Sequence, residues 1–283
     1  MRQRISPAAG TLDAPGAHLY YEVRGTGPVL LIGQSGEGGA DRTADLAARL
    51  VDTFTIVTYD RRGLSRSHPH DPARTTALTE HADDAARVLA AVTDEPAAML
   101  GCSMGAVIGL HMTVRHPGRL HTLIAHEPVA PRLLPDTAAR TAHERELVAI
   151  QKTYERSGLA AALAEIAHAL GIDPAGPDNE PDLTPQPIDA RRRADFDRFI
   201  RHDFTAVLRD TLDTAALRHV PTRIVPAVGR TTPGEVFDRR CAYALADLLG
   251  TAVVDLPGGH NGSTSHPSGY ALRLRELLGA ATA

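Results

Sequence analysis

A chain of 283 residues, 43% hydrophobic and 23% charged, has a globular composition with room for one large domain or a core domain carrying a smaller insertion, which excludes a disordered or fibrous protein. Thirty Lys and Arg against 34 Asp and Glu leave a formal charge of −4, and no basic stripe with interleaved aromatics offers a phosphate backbone a surface, so nucleic acid is not an expected partner. Two cysteines are too few for a disulfide framework or a metal cluster, and six Tyr and five Phe with no Trp leave few flat rings to line a pocket.

In chain order, residues 1–10 carry basic side chains but no apolar run of signal-peptide length, and no stretch of about 18 consecutive apolar residues follows anywhere. The expectation is a cytoplasmic protein that does not engage a membrane. Strand-like runs occur at 18–23, 29–32, 54–59, 97–100 and 120–125, with helical stretches at 40–50, 79–92 and 104–116 between them. Several of the runs are almost wholly apolar, as strands buried on both faces are. After 125 the alternation stops. Helical pieces at 138–157, 159–170 and 188–209 surround a loop, 173–187, whose prolines and acids forbid a helix or a central strand. Strands at 223–228 and 252–256 and helices at 238–249 and 267–278 then resume the rhythm. The predicted class is α/β, a mostly parallel sheet flanked by helices. Its core domain takes 1–127 and 217–283, and a helical cap inserted after the strand leading to Glu127 takes 128–216.

The run Leu100-Gly101-Cys102-Ser103-Met104-Gly105-Ala106 follows a strand, opens a helix and matches G-x-S-x-G. A sharp strand-to-helix turn holds its serine in strained dihedrals, and only small residues at 101 and 105 let strand and helix approach. Ser103 is the predicted nucleophile. A serine needs a base, and the loop after the last strand, Pro257-Gly258-Gly259-His260-Asn261-Gly262, supplies His260. His68, His70 and Asp71 resemble part of a metal motif but lack a further ligand at suitable spacing, so they read as a solvated loop and no metal is expected. Arg191-Arg192-Arg193 likewise reads as a solvated helix face.

An acid that orients the imidazole is often found after the penultimate strand, but Val228-Gly229-Arg230-Thr231-Thr232-Pro233 has none there; Glu235 and Asp238 are the nearest. One strand earlier, His126-Glu127-Pro128 puts a carboxylate on the same sheet edge as Ser103, with a proline to end the strand. Glu127 is the predicted acid, with Glu235 and Asp238 as rivals and an ion pair to Arg132 as the structural alternative. His126 should point away from the site. In the loop Gly33-Gln34-Ser35-Gly36-Glu37-Gly38-Gly39, glycines let main-chain N–H groups turn inward, and Gly36 with Met104 is the expected pair of oxyanion donors; Gln34 and Ser35 also offer donors. A nucleotide-binding oxidoreductase competes for this segment, with Asp60-Arg61-Arg62 on a ribose or phosphate, although the glycine spacing misses G-x-G-x-x-G.

Together the glycine loop, the run Tyr59-Asp60-Arg61-Arg62-Gly63-Leu64-Ser65-Arg66-Ser67, the elbow, the inserted helices and the late histidine resemble the α/β-hydrolase family over nearly the whole chain. Within it, Cys102-Ser103, His126-Glu127, Thr232-Pro233 and Ser265-His266-Pro267 are similar to the zearalenone lactonases, which hydrolyse the ester bond of a macrocyclic resorcylic lactone. That resemblance implies a Ser103–Glu127–His260 triad, oxyanion donors at Gly36 and Met104, and substrate contacts at Ser35 and Phe199. Phe199 falls where those enzymes carry a cap tryptophan, and a phenyl ring offers less area and no indole N–H. The expected partner is a small ester or lactone, without metal or organic cofactor, and a homodimer is compatible with the sequence. A general carboxylesterase, a cofactor-free perhydrolase and a non-catalytic ligand receptor are the alternatives, and a dehalogenase is disfavoured because position 103 is not a carboxylate.

Overall fold

The computed structural model describes residues 8–173, 176 and 178–279. Positions 1–7 of the basic N-terminal stretch, and Pro174, Ala175 and Pro177 of the proline-rich loop, lie outside the described residues. The strands are β1 (Ala8–Ala14), β2 (Ala17–Gly25), β3 (Val29–Gly33), β4 (Thr55–Tyr59), β5 (His68–Pro69), β6 (Ala97–Cys102), β7 (Leu120–His126), β8 (Arg223–Gly229) and β9 (Val254–Leu256). Among the described residues they form one sheet in the order β1-β2-β4-β3-β6-β7-β8-β9, with β5 on β2. β1 and β2 pair antiparallel with their neighbours, and the pairs from β4 through β9 are parallel.

The helices are α1 (Ala44–Ala48), α2 (Leu78–Ala90), α3 (Met104–Arg115), α4 (Thr137–Ser157), α5 (Leu159–Ala169), α6 (Ala190–Arg198), α7 (Phe204–Leu208), α8 (Phe237–Leu249), α9 (Gly262–Ser265) and α10 (Pro267–Leu277). Alternate strand residues feed two cores. Leu31, Val57, Met99 and Leu123 pack with α2, α3 and α8, while Leu30, Ile56, Leu100 and Ile124 pack with α1 and α10. Among the described residues, the connection from β7 to β8 carries helices α4 to α7 and no strand, and no helix is long and apolar enough to cross a membrane.

Several elements differ from expectation. His68, expected in a solvated loop, lies in the short strand β5 opposite His18 of β2, and Gly262–Ser265 forms the short helix α9. β1 was not anticipated, because Ala-Ala-Gly-Thr-Leu-Asp-Ala has little β-branched character and is stabilised as an edge strand by pairing with β2. The stretch expected as helix 40–50 yields only α1, since the glycine loop continues to Thr43. The stretch expected as one helix over 188–209 is interrupted by a π-turn, Phe199–Asp203, between α6 and α7.

Strand order reverses at β3, which lies between β4 and β6, and crevices form at the carboxyl ends of strands beside such a reversal. Register brings the strand ends to one edge: Gly33 opposite Gly101, Cys102 opposite His126, His126 opposite Ala227, and Gly229 opposite Leu256. The glycine loop, the elbow, Glu127 and the His260 loop all start there.

Candidate active site

Ser103 sits between β6 and α3 with φ +50° and ψ −109°, a conformation costing a non-glycine residue about 1–3 kcal/mol. Its N–H donates to the His126 carbonyl at 2.9 Å, which ties the turn to β7. The flanking glycines are required sterically. A Cβ on Gly101 would lie 2.6 Å from Ala106 Cα, and one on Gly105 would run into the Gly33 carbonyl. The serine is 8% exposed.

His260 Nδ1 lies 2.7 Å from Glu127 Oε2, both side chains being buried. Glu127 is itself held: its N–H donates to the Ala227 carbonyl at 2.9 Å, and its Oε1 accepts the Gly229 N–H at 2.8 Å. Its φ of +43° is a conformation that a non-glycine residue rarely adopts. Burial alone raises this carboxyl; the His260 hydrogen bond, both neighbouring histidines and the Gly229 N–H outweigh it and lower it to about 2. Burial pushes the His260 imidazole down, but the Glu127 hydrogen bond and charge, with Asp238, leave it raised above 6.5. A proton on Nδ1 facing Glu127 leaves Nε2 as the basic nitrogen.

Asp238, in the first turn of α8, occupies the other side of the imidazole. Its Oδ2 accepts the Ser103 hydroxyl at 3.3 Å and lies 3.7 Å from His260 Nε2. It is 2% exposed, and burial raises its carboxyl above the ordinary value despite the opposing charge of His260. Of the two rival acids, Asp238 thus faces Nε2 and the serine, and Glu235 is exposed on the surface. Arg132 donates to the Leu212 carbonyl at 3.1 Å.

A narrow apolar cavity of about 50 Å³ lies over Ser103, walled by Val129, Leu147, Ile150, Phe199, Phe204 and Phe237 among others. Phe199 closes over Gly36, where a Cβ would fall on the ring. Ser35, expected as a substrate contact, does not line this cavity, and its carbonyl accepts Arg61 Nη1 at 2.7 Å. Met104, fully buried, opens α3 directly after the serine. His126 is fully buried, without a hydrogen-bond partner for either ring nitrogen, and packs edge-on against Tyr270; burial lowers its imidazole to about 4, so it is neutral.

Two readings of charged residues change. Arg192 is not on a solvated face: it bonds Glu37 of the glycine loop at 2.7 Å, while Arg191 pairs with Asp41. Asp60 is fully buried and accepts the Ala40 and Arg66 N–H groups, and Arg62 forks onto Asp84 at 2.8 Å twice, so this run is consumed by internal contacts where a nucleotide reading needs it free. Two features escaped the sequence reading, the approach of Asp238 to the serine and the grip of Arg61 on the glycine loop. Their only signals were nearness to the strand ends.

A buried serine at a strained turn, a histidine ordered by a carboxylate, and a glycine loop at the same edge are the components of acyl transfer. The alpha/beta hydrolase fold family matches residues 28–208. The chain is 36% identical over 273 residues, 95% of each chain, to the uncharacterized hydrolase YraK of Bacillus subtilis. Over a shorter stretch of 107 residues, 38% of this chain and 40% of the other, it is 34% identical to a putative carbamate hydrolase, RutD, of Azorhizobium caulinodans. A thermophilic esterase from Thermogutta terrifontis is similar in structure, with a TM-score of 0.72 at 19% identity over 97% of this chain and 98% of that one.

Proposed function

This chain belongs to the alpha/beta hydrolase family, and from that premise we propose that it is a serine hydrolase cleaving a carboxylic ester or lactone through an acyl-enzyme. The observation that carries the proposal is the buried Glu127–His260 pair at 2.7 Å, on the edge where Ser103 is presented at φ +50°. In the proposed cycle the Ser103 hydroxyl turns from Asp238 to His260 Nε2, loses its proton to that nitrogen and attacks the carbonyl carbon. Glu127 holds the imidazole in the required tautomer and stabilises its cation. N–H groups of Gly36 and Met104 receive the oxyanion. The tetrahedral adduct collapses as His260 protonates the leaving alcohol, and water repeats the sequence to release the acid. None of these steps uses a metal or organic cofactor.

Residues 128–216 act as a helical cap on a core of 1–127 and 217–283. The apolar walls favour an uncharged, hydrophobic acyl group. Within this class the finer proposal is a macrocyclic resorcylic lactone of the zearalenone type, supported by Cys102-Ser103, His126-Glu127 and Thr232-Pro233. Besides the apolar cavity over Ser103, a wider one of about 530 Å³ is lined by His260, Thr231 and Gly259 and offers room beside the base. Phe199 then stacks on the aromatic part of the substrate.

Mass spectrometry after incubation with zearalenone and a panel of simple esters, lactones and a carbamate tests both levels. A gain of one water on the macrocycle, absent with Ser103→Ala, supports the finer reading. Turnover of simple esters alone leaves the serine-esterase reading and removes the lactone. Turnover of the carbamate alone overturns both.

A further inference from the structure

Arg61 is among the largest fully buried side chains, at 1% exposure, and its hydrogen bonds converge on one place. Nη1 donates to the Ser35 carbonyl at 2.7 Å and reaches the Gln34 carbonyl at 3.4 Å; Nη2 donates to the Gly36 carbonyl. Nη2 also donates to Asp203 Oδ2 at 2.7 Å, and Nε is left without a partner. A buried cation therefore grips three successive carbonyls of the glycine loop, and its counter-charge comes from the π-turn in the segment inserted between β7 and β8.

The consequence follows from peptide geometry. In a trans peptide the carbonyl and the N–H point in opposite directions, and no peptide among the described residues is cis. The carbonyl of Ser35 and the N–H of Gly36 belong to the same peptide plane. Fixing the first on the guanidinium turns the second away from it and stops the plane from rotating. A cation on a carbonyl oxygen also draws electron density from the amide, which makes its N–H a stronger donor. Phe199 closes over Gly36, and four residues later on the same π-turn Asp203 accepts from Arg61, so one helical turn meets the loop directly at Gly36 and a second time through Arg61.

We propose that Arg61 is the positioning residue of the oxyanion loop, and that Asp203 couples that loop to the seating of the cap. The pair sets the direction of the Gly36 N–H before substrate arrives, and displacement of the π-turn loosens it. This rests on the serine-hydrolase reading above.

The test uses the full chain and two reagents that report the oxyanion site without knowledge of the natural substrate: a fluorophosphonate, which phosphonylates an activated serine, and butylboronic acid, which forms a tetrahedral adduct on it. Rates and affinities are measured for wild type, Arg61→Lys and Asp203→Asn, with thermal melting to establish folding and peptide mapping to locate the adduct. Loss of one oxyanion donor typically costs roughly 10²–10³-fold, so phosphonylation of Ser103 and boronate affinity in Arg61→Lys fall together toward that range. Asp203→Asn falls less, in the same two readouts. A merely structural role predicts lowered melting with both readouts within about twofold of wild type in the folded variants, and that result overturns the proposal. If Arg61→Lys does not fold, Asp203→Asn decides alone by the same criterion. Should the wild type itself show no adduct on Ser103, the serine-hydrolase reading fails and this inference falls with it; a labelled wild type with unaffected variants sinks this inference only.

Discussion

The hydroxyl of Ser103 donates to Asp238 Oδ2 at 3.3 Å, and the same oxygen lies 3.7 Å from His260 Nε2. The proposed nucleophile therefore rests on a carboxylate that also faces its proposed base. In the proposed cycle the hydroxyl turns from Asp238 toward Nε2, and the Asp238 charge favours the protonated imidazole that would result.

This sets the sign of a pH effect. His260 must be neutral to accept the serine proton, so activity rises with pH through the imidazole pKa, which is raised above its ordinary 6.5. Asp238 contributes to that rise. In Asp238→Asn the acid limb of kcat/KM shifts to lower pH, as measured on 4-nitrophenyl butyrate. An acid limb that stays in place or moves upward contradicts this account of Asp238.

Glu127 contacts Nδ1, and Glu235 lies on the surface. Exchanging a carboxylate in this place for an amide leaves geometry intact but inverts the tautomer, at a cost of about 10⁴-fold in kcat in comparable triads. Glu127→Gln is expected to approach that loss while Glu235→Gln keeps wild-type turnover. Steady-state kinetics on the two variants decides the matter, and a large loss at 235 with a mild one at 127 reverses the choice of acid.

The same pair makes stability depend on pH. The Glu127 carboxyl, at about 2 when folded against an ordinary 4.5, binds fewer protons in the native state within that window. Its contribution is present above about 4.5 and is lost as pH falls toward about 2. For His260 the sign is opposite: the contribution is complete below 6.5 and lost as pH rises through the raised folded value. Urea unfolding of wild type and Glu127→Gln over the acid window checks the first statement. The wild type loses stability more steeply, and parallel curves would refute it.

Gly105 faces the Gly33 main chain too closely for any side chain. Gly105→Ala forces β3 and α3 apart, an overpacking of backbone against backbone that costs about 1–3 kcal/mol or more. Denaturant midpoints report it, and an unchanged midpoint would show that the elbow has slack.

Much of the fold was legible because buried parallel strands announce themselves as apolar runs and the insertion breaks their rhythm. Ser103 and His260 were legible as well, since each follows a strand at a glycine-rich turn. Glu127 could be located from Pro128 and from the empty loop after β8. The π-turn was not, because 188–209 keeps a helical pattern through it. Nor were the roles of buried charge: Arg192 and Arg61 look like any surface arginine in one dimension, and only the folded chain pairs them with Glu37 and Asp203. Asp238 was visible as a carboxylate near the site, but the side of the imidazole it faces depends on where α8 begins.

The proposed cycle depends on acylation of Ser103. Intact-protein mass spectrometry with peptide mapping, on protein quenched during turnover of 4-nitrophenyl butyrate, tests it directly. A butyryl adduct on Ser103 is expected, accumulating in Glu127→Gln and absent from Ser103→Ala, where ester hydrolysis is lost with kcat down by roughly 10⁴–10⁶-fold. Undiminished hydrolysis by Ser103→Ala, or an adduct on another residue, contradicts it.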